Sequence, residues 1–243
     1  MKVIIPAAGR GMRLRPFTDK IPKCLINING KPLLFHLLSG LNTLYVEEVI
    51  IVVGYRGNMI KQYIAKTSNL PKIDFIVNHD YEYSNSIVSI SLTREHWKTP
   101  FCIIDSDLLI KQYLLRALIS GTNTCLFVDS SKPLDSIDMR VQAKNDQFLY
   151  MDKALPVENT VGEFFGISRW MPEEAKVLSS IIGQFVDKQN VGVWYEYAIR
   201  EVPKHCILPI EKCSSEMWRE IDNPADYRKA IKFARHLKDK QNF

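Results

Sequence analysis

The residues best equipped for chemistry sit near the start of the chain. Gly9 and Gly11 follow two small residues, Ala7 and Ala8, and are flanked by the cations Arg13 and Lys23. Glycines let a main chain turn tightly and approach a ligand closely. Successive backbone N–H groups in such a turn form an anion-binding concavity, and Arg13 and Lys23 add fixed positive charge. The apolar run Val3-Ile4-Ile5 comes just before and reads as a short buried strand. Strand, glycine loop and spaced cations together describe a polyphosphate site. Two familiar phosphate loops fit poorly. A dinucleotide loop has Gly where this chain has Leu14, and a P-loop needs Ser or Thr where Pro32 follows Gly30-Lys31.

A polyphosphate site calls for a hard divalent cation, which takes one or two carboxylates plus phosphate oxygens and water. Asp105-Ser106-Asp107 comes directly after the apolar run 101–104, where a strand end would present it to a ligand. Asp105 reads equally well as a turn or capping aspartate. Glu220-Ile221-Asp222 precedes the last helix and offers a second acidic group. Asp222 can approach the same ion from the other side, or cap the helix that begins at Asn223-Pro224; the two roles can use different oxygens. The histidines at 36, 79, 96, 205 and 236 show no ligand spacing, so no zinc site is expected.

The elements that must hold these residues alternate. Residues 3–5, 49–53, 73–77, 102–104 and 125–128 read as buried strands. Residues 32–44, 57–66, 86–97 and 111–119 read as helices between them. This order implies an α/β fold with a mostly parallel sheet and helices on both faces. Ligands in such sheets bind beyond the carboxyl ends of the strands, where the glycine loop sits. Further on, 139–143 and 148–151 read as a hairpin across Asn145-Asp146, and 162–168 as a strand. Residues 172–182 and 193–202 read as helices. A last helix is capped by Asn223 and runs to about Lys238. No composition break marks a linker. One domain over 1–243 is expected, with 1–130 as the nucleotide-binding half and 131–243 as the acceptor-binding half.

Composition narrows the class. The 243 residues are 46% hydrophobic and 24% charged, ordinary for a globular protein. The net charge of +5 suits anionic substrates, but Lys and Arg are scattered, without the basic block of a nucleic-acid footprint. No run is long enough for a signal peptide or a membrane span, so a cytoplasmic protein is expected. The five cysteines form no C-x-x-C pair and read as reduced, mostly buried thiols. Cys24 follows Lys23 and reads mainly as a small core residue.

The stretch from Ala7 to Thr18, then Pro22-Lys23, resembles the signature A-A-G-x-G-x-R-L-x-P-x-T followed by P-K of nucleotidyltransferases acting on sugar phosphates and related small phosphates. Every position is filled. The whole chain is similar to one branch of that family, the cytidylyltransferases typified by bacterial CTP:phosphocholine cytidylyltransferase. Tyr81-x3-Asn85-Ser86-x2-Ser89 resembles the branch's segment beside the nucleotide. Asp138-Met139-Arg140-Val141, Lys153, Gly162-Glu163 and Gly166-Ile167 follow its middle segment. Glu196 lies in an aromatic Trp-Tyr-Glu-Tyr stretch, and Glu220-Ile221-Asp222 with Asp226-Tyr227 resembles its closing motif. Two departures stand out: Ser86 replaces an Asn, and Arg140 replaces a Lys, a planar fork in place of a point charge.

The resemblance implies a Rossmann-like, glycosyltransferase-A-like fold and Mg2+-dependent nucleotidyl transfer from CTP to a small phosphate or phosphonate, with release of pyrophosphate. It implies catalytic roles for Arg13, Lys23, Asp107 and Asp222, with Asp107 and Asp222 holding the metal. The nucleotide would lie against Ala7, Ala8, Gly9, Gly11, Arg13, Lys23, Asn85, Ser86 and Ser89. The acceptor would meet Lys153, Glu163 and Glu196. Phosphocholine and 2-aminoethylphosphonate lead as acceptors, since aromatic faces recognise quaternary ammonium groups. A sugar 1-phosphate is the alternative within the enzyme class, and a catalytically silent nucleotide-binding regulatory paralogue is the alternative outside it. The oligomeric state stays open, a homodimer among the options.

Overall fold

The apolar runs seen in the sequence become the middle of a nine-stranded sheet. The computed structural model describes residues 1–237. The first half runs β1 (Lys2–Ala7), β2 (Asn27–Ile28), β3 (Lys31–Pro32), α1 (Leu33–Leu41), β4 (Glu48–Val53), α2 (Gly57–Ala65) and β5 (Ile73–Val77). It continues with α3 (Ser86–Ser91), β6 (Phe101–Ile104), β7 (Leu108–Ile110), α4 (Gln112–Ser120) and β8 (Cys125–Asp129). The second half holds β9 (Met139–Lys144), β10 (Gln147–Asp152), β11 (Gly162–Trp170), α5 (Pro172–Asp187), α6 (Glu196–Ile199), β12 (Ile210–Cys213), β13 (Trp218–Glu220) and α7 (Pro224–Phe233).

The main sheet has the order β10-β9-β11-β6-β1-β4-β5, and β8 joins β11 to β12. Strands β6, β1, β4 and β5 are parallel, whereas β11 runs antiparallel to β6. The sheet is therefore mixed around a parallel centre. Side chains alternate across it. Val3, Ile5, Val49, Ile51, Cys102 and Ile104 enter one apolar layer, and Ile4, Ile50, Phe101 and Ile103 enter the other. Burial on both faces explains why these strands read as unbroken apolar runs. Helix α1 buries Leu33, Leu34, Leu37, Leu38 and Leu41, the spacing of one helical face.

Two features of the sheet position the site. Strand β11 breaks register between Phe164 and Ser168. Gly166 lies there with φ +88°, and a Cβ on it would stand 2.2 Å from Oδ2 of Asp105. Only glycine accommodates both the backbone and the neighbour. Separately, β13 pairs antiparallel with β7, matching Glu220 to Leu108. Ile221 N–H then donates to Asp107 O at 3.1 Å. This short ribbon carries the acidic pair at 220 and 222 to the turn that follows β6.

Several expected helices are shorter than their patterns. The 86–97 segment splits into α3 and a single turn at Arg94–His96. The hydroxyls of Ser91 and Thr93 donate to the carbonyls of Val88 and Ile90 and compete with helix continuation. The 193–202 segment keeps only α6. Its entry is fixed by Tyr195 N–H donating to Ser86 Oγ at 3.0 Å, and Pro203 supplies no donor at its end. Helix α5 runs past Ile182 to Asp187. The hairpin turn at Asn145 and Asp146 has φ +53° and +57°, the left-handed pair that such a two-residue turn needs. Asn223 caps α7 by accepting from the amides of Ala225 and Asp226. Helix α7 ends at Phe233 and passes into a single 3-10 turn at Ala234–His236, short of the expected end near Lys238, which lies outside the described residues.

One buried cation braces the back of the sheet. Arg169 is 2% exposed and donates to the carbonyls of Asn123, Ala117 and Leu118 and to Asn123 Oδ1. Replacing it leaves four acceptors without this donor, one of them the buried Leu118 carbonyl and the rest part-buried or exposed, at a cost of on the order of 3 kcal/mol. Arg169→Met should lower the melting temperature by roughly 6–12 °C. A thermal melt unchanged within error would show that the guanidinium is dispensable.

Candidate active site

At the carboxyl end of the parallel strands lies a cleft of about 680 Å³. Its floor is the loop after β1. Gly11 has φ +62°, and a Cβ there would meet Lys23 Cβ at 2.9 Å. Thr18 Oγ1 donates to Gly11 O at 2.8 Å, and Tyr55 N–H donates to Ala8 O at 2.9 Å. These bonds pin the loop from both sides. The amides of residues 9–11 find no protein acceptor among the described residues and remain available to an anion. A Cβ on Gly9 would meet nothing within 4 Å, so the loop is open toward the cleft.

Lys23 crosses from this loop to the acidic end of the site. Its Nζ lies 2.6 Å from Asp107 Oδ2 and 2.5 Å from Asp222 Oδ1. Arg13 reaches the other oxygen of Asp222 at 2.6 Å. Glu220 completes the cluster: one oxygen from each of Asp107, Glu220 and Asp222 lies within 4.8 Å of the others. Burial opposes the charge on Lys23, but Asp107, Asp222 and Glu220 outweigh it and hold its ammonium above the ordinary lysine range. Burial also pushes the Asp222 carboxyl up, yet Lys23 and Arg13 keep it below its usual value. Glu220 goes the other way: burial, then the charges of Asp107 and Asp222, raise it well above the usual range.

Three hard oxygen donors this close together could hold a small divalent ion. Two of them, on Asp107 and Asp222, meet the Lys23 ammonium. Glu220 was not among the metal ligands expected from the sequence. Its signal was the spacing of two from Asp222, which puts both carboxylates on one face of an extended segment. Asp105 belongs to a different structure. Its N–H donates to Gly166 O at 3.0 Å and its carboxylate accepts from Tyr195 OH at 3.3 Å. Burial, with Asp107 and Glu196 nearby, raises its carboxyl well above the usual value. It joins β6 to β11.

Every residue expected from the sequence to be catalytic or to hold nucleotide, acceptor or metal lines this cleft, whereas Arg140, Asp226 and Tyr227 do not. The local bonding of several is nonetheless unexpected. Asn85 caps α3 by accepting from Ser86 N–H, and Ser86 Oγ accepts from Tyr195 N–H. Ser89 Oγ accepts from Asn78 Nδ2 at 3.1 Å. These side chains tie α3 to its neighbours, so what they present to a ligand is the shape they fix. Asn78 was overlooked; it is 2% exposed and also donates to Ser84. Cys24 is buried, and its thiol is pushed up to about 12 by that burial, which makes it inert.

The far end of the cleft is also acidic. Glu163 is buried and pairs with Lys132 at 2.6 Å, and Lys132 also reaches Asp138 at 3.4 Å. Burial still raises the Glu163 carboxyl to about 7, with Lys132 offsetting part of the effect. Lys132 had no signal in the sequence. Among the described residues neither Glu163 Oε2 nor Glu196 Oε2 has a hydrogen-bond partner, but Glu163 has the Lys132 ion pair and Glu196 forms none. Burial raises the Glu196 carboxyl to about 7, opposed in part by a bond from its own backbone N–H and by Lys153. Lys153 Nζ lies 4.6 Å from the ring centre of Trp194, which is 38% exposed. Of the other aromatics, Phe164, Phe165, Trp170 and Tyr195 are core residues. Arg140 donates to the carbonyls of Leu155 and Asp135 and braces two loops.

Comparison with known proteins agrees with this geometry. Residues 2–131 match the family model described as nucleotidyl transferase. The chain is 26% identical over 236 residues to a choline-phosphate cytidylyltransferase from Streptococcus pneumoniae, covering 94% of this chain and 96% of that protein. It is 25% identical over 248 residues to a CMP-5'-(3-aminopropyl)phosphonate synthase from Streptomyces rubellomurinus, covering 95% of this chain but only 38% of that longer protein. In structure it is similar to the CTP:phosphocholine cytidylyltransferase of Streptococcus pneumoniae, with a TM-score of 0.82 at 24% identity over 96% of this chain and 98% of the other. An inositol-1-phosphate CTP transferase from T. maritima gives the same TM-score at 18% identity, over 98% of this chain and 96% of its own. A glycine loop after the first strand, a lysine bridging it to two carboxylates, and a family model spanning more than half the chain lead to one conclusion: this protein belongs to the nucleotidyl transferase family and is a nucleotidyltransferase.

Proposed function

We propose that this enzyme transfers a cytidylyl group from CTP to a small zwitterionic acceptor, a phosphate or phosphonate that also carries a cationic amine. The observation that carries the acceptor reading is the buried Glu196 Oε2, which has no hydrogen-bond partner among the described residues, in the cleft that Trp194 also lines. A carboxylate and an indole face together suit an ammonium group. Lys153, on the same side, is the residue we assign to the acceptor's anionic end. Two cytidylyltransferase relatives, one named for choline phosphate and one for an aminopropylphosphonate, support both the base and the acceptor class. The second half of the chain, residues 131–243, is then the acceptor half of a single domain. Five free cysteines suit a reducing, cytoplasmic setting.

The reaction needs little covalent help from the protein. An oxygen of the ionised acceptor attacks the α-phosphorus of CTP and forms the new P–O bond. The bond from that phosphorus to the β-phosphate bridging oxygen breaks, and pyrophosphate leaves opposite. No general base is required. The amides of residues 9–11 and Arg13 hold the β- and γ-phosphates. Lys23 meets the charge that builds on the α-phosphate. Asp107 and Asp222, with Glu220, would hold Mg2+, which when bound neutralises phosphate charge. Positioning and electrostatic stabilisation, the former worth up to ~7–11 kcal/mol, carry the rate. A silent regulatory paralogue would have no use for Arg13, Lys23, Asp107 and Asp222 in one cleft.

Pyrophosphate release with each of four nucleoside triphosphates against phosphocholine, 2-aminoethylphosphonate and several sugar 1-phosphates tests the reading. Turnover is expected with CTP and an amine-bearing acceptor; turnover confined to sugar 1-phosphates would overturn it. Asp107→Asn should lower kcat by at least about 100-fold with the melting temperature largely kept. Wild-type turnover in that variant would remove Asp107 from the chemistry. Glu196 ionises near pH 7, so kcat/KM for a cationic acceptor should fall as pH drops through that range, where the carboxyl becomes neutral. In Glu196→Gln the wild-type profile should lose this limb, and an identical pH profile would exclude the carboxylate from acceptor recognition.

A further inference from the structure

The stem of Lys23 runs along the glycine loop, while its ammonium lies among carboxylates. A Cβ on Gly11 would meet Lys23 Cβ at 2.9 Å and Cδ at 3.4 Å. The Nζ end is 2.6 Å from Asp107 and 2.5 Å from Asp222. Its side chain is only 14% exposed. One flexible lysine thus lies between the loop that would receive phosphate and the cluster that would receive a divalent ion. Three carboxylate oxygens within 4.8 Å of one another repel strongly unless a cation sits among them.

We infer that Lys23 is the built-in counter-cation of this cluster, and that through it a divalent ion and the nucleoside triphosphate bind with positive coupling. The inference rests on the proposed reading of Asp107, Glu220 and Asp222 as the metal site. A divalent ion that arrives alone must take the carboxylates from Lys23 and leave a buried ammonium without a counter-charge. A triphosphate that arrives alone must draw Lys23 away and leave the carboxylates unbalanced. When both arrive, the carboxylates face the ion, Lys23 faces phosphate, and every charge has a partner. The coupling is reciprocal by linkage. Arg13 also pairs with Asp222, but its side chain is 62% exposed, so solvent screens it and replaces its partner at little cost.

Mn2+ binding to the full chain, followed by electron paramagnetic resonance and by calorimetry, tests this without turnover. Lys23→Met should bind Mn2+ alone at least tenfold more tightly than wild type. Arg13→Met, which deletes a charge bonded to the same carboxylate, should change that affinity by less than threefold. Wild type should bind CTP at least tenfold more tightly with saturating Mn2+ than without, and Lys23→Met should lose most of that difference. If Lys23→Met is less stable than wild type in metal-free buffer, Mn2+ alone should raise its melting temperature more than it raises the wild-type value. Equal Mn2+ affinity in wild type and Lys23→Met, or equal gains in the two variants, would overturn the coupling role and leave the metal site standing. Failure of wild type and Lys23→Met alike to bind Mn2+, even with CTP present, would overturn the metal site and the coupling role together.

Discussion

Charge balance around the Lys23 ammonium is the constraint on which the rest of the site depends. Three acidic groups, Asp107 in the turn after β6, Glu220 in β13 and Asp222 just beyond it, crowd together in the cleft. Such a cluster is stable only with a cation inside it. The fold supplies that cation from the glycine loop, so the phosphate-binding end and the acidic end of the cleft share one side chain. The opposed shifts of Asp222 and Glu220 follow: the carboxylate that touches Lys23 and Arg13 keeps its charge, and its neighbour takes up a proton more readily.

The sheet is arranged to make this meeting occur. The parallel strands deliver the loop after β1 and the turn after β6 to the same edge. The antiparallel strand β11 then breaks register at Gly166, where the Asp105 carboxyl occupies the space a side chain would need. The β7–β13 ribbon returns the distant Glu220–Asp222 segment to Asp107 through a main-chain bond. Trp218 anchors that ribbon, stacked on Phe165 with centroids 4.0 Å apart and donating from Nε1 to Asp129 Oδ2 at 2.9 Å. Each of these contacts fixes the spacing of residues that line the cleft.

The far end of the cleft repeats the motif with a difference. Lys132 neutralises Glu163 and Asp138, as Lys23 neutralises Asp107 and Asp222. Among the described residues Glu196 forms no ion pair; Lys153 acts on it from nearby and rests over the Trp194 ring. Of the acceptor-side carboxylates expected from the sequence, Glu196 rather than Glu163 is therefore the one left without an internal cation.

The strand runs, the glycine loop and the cap at Asn223 were legible in the sequence because they rest on local physics: alternating burial, backbone freedom at glycine, and a short side chain reaching its own helix. Lys23 and the two aspartates were singled out because they fill positions of a family signature, and Asp107 follows an apolar run that ends at the cleft. Which carboxylates share a cation was not legible. Glu220 joined the cluster and Asp105 left it because β13 pairs with β7 and Gly166 admits Asp105, pairings between segments far apart in the chain. Ser86 and Ser89 are engaged for the same reason, since their partners Tyr195 and Asn78 are brought by packing. Residue type and spacing along the chain determined what chemistry was available. Only the tertiary structure decided which charges neutralise one another, because electrostatic pairing depends on separation in space and on burial, and neither is written in the order of residues.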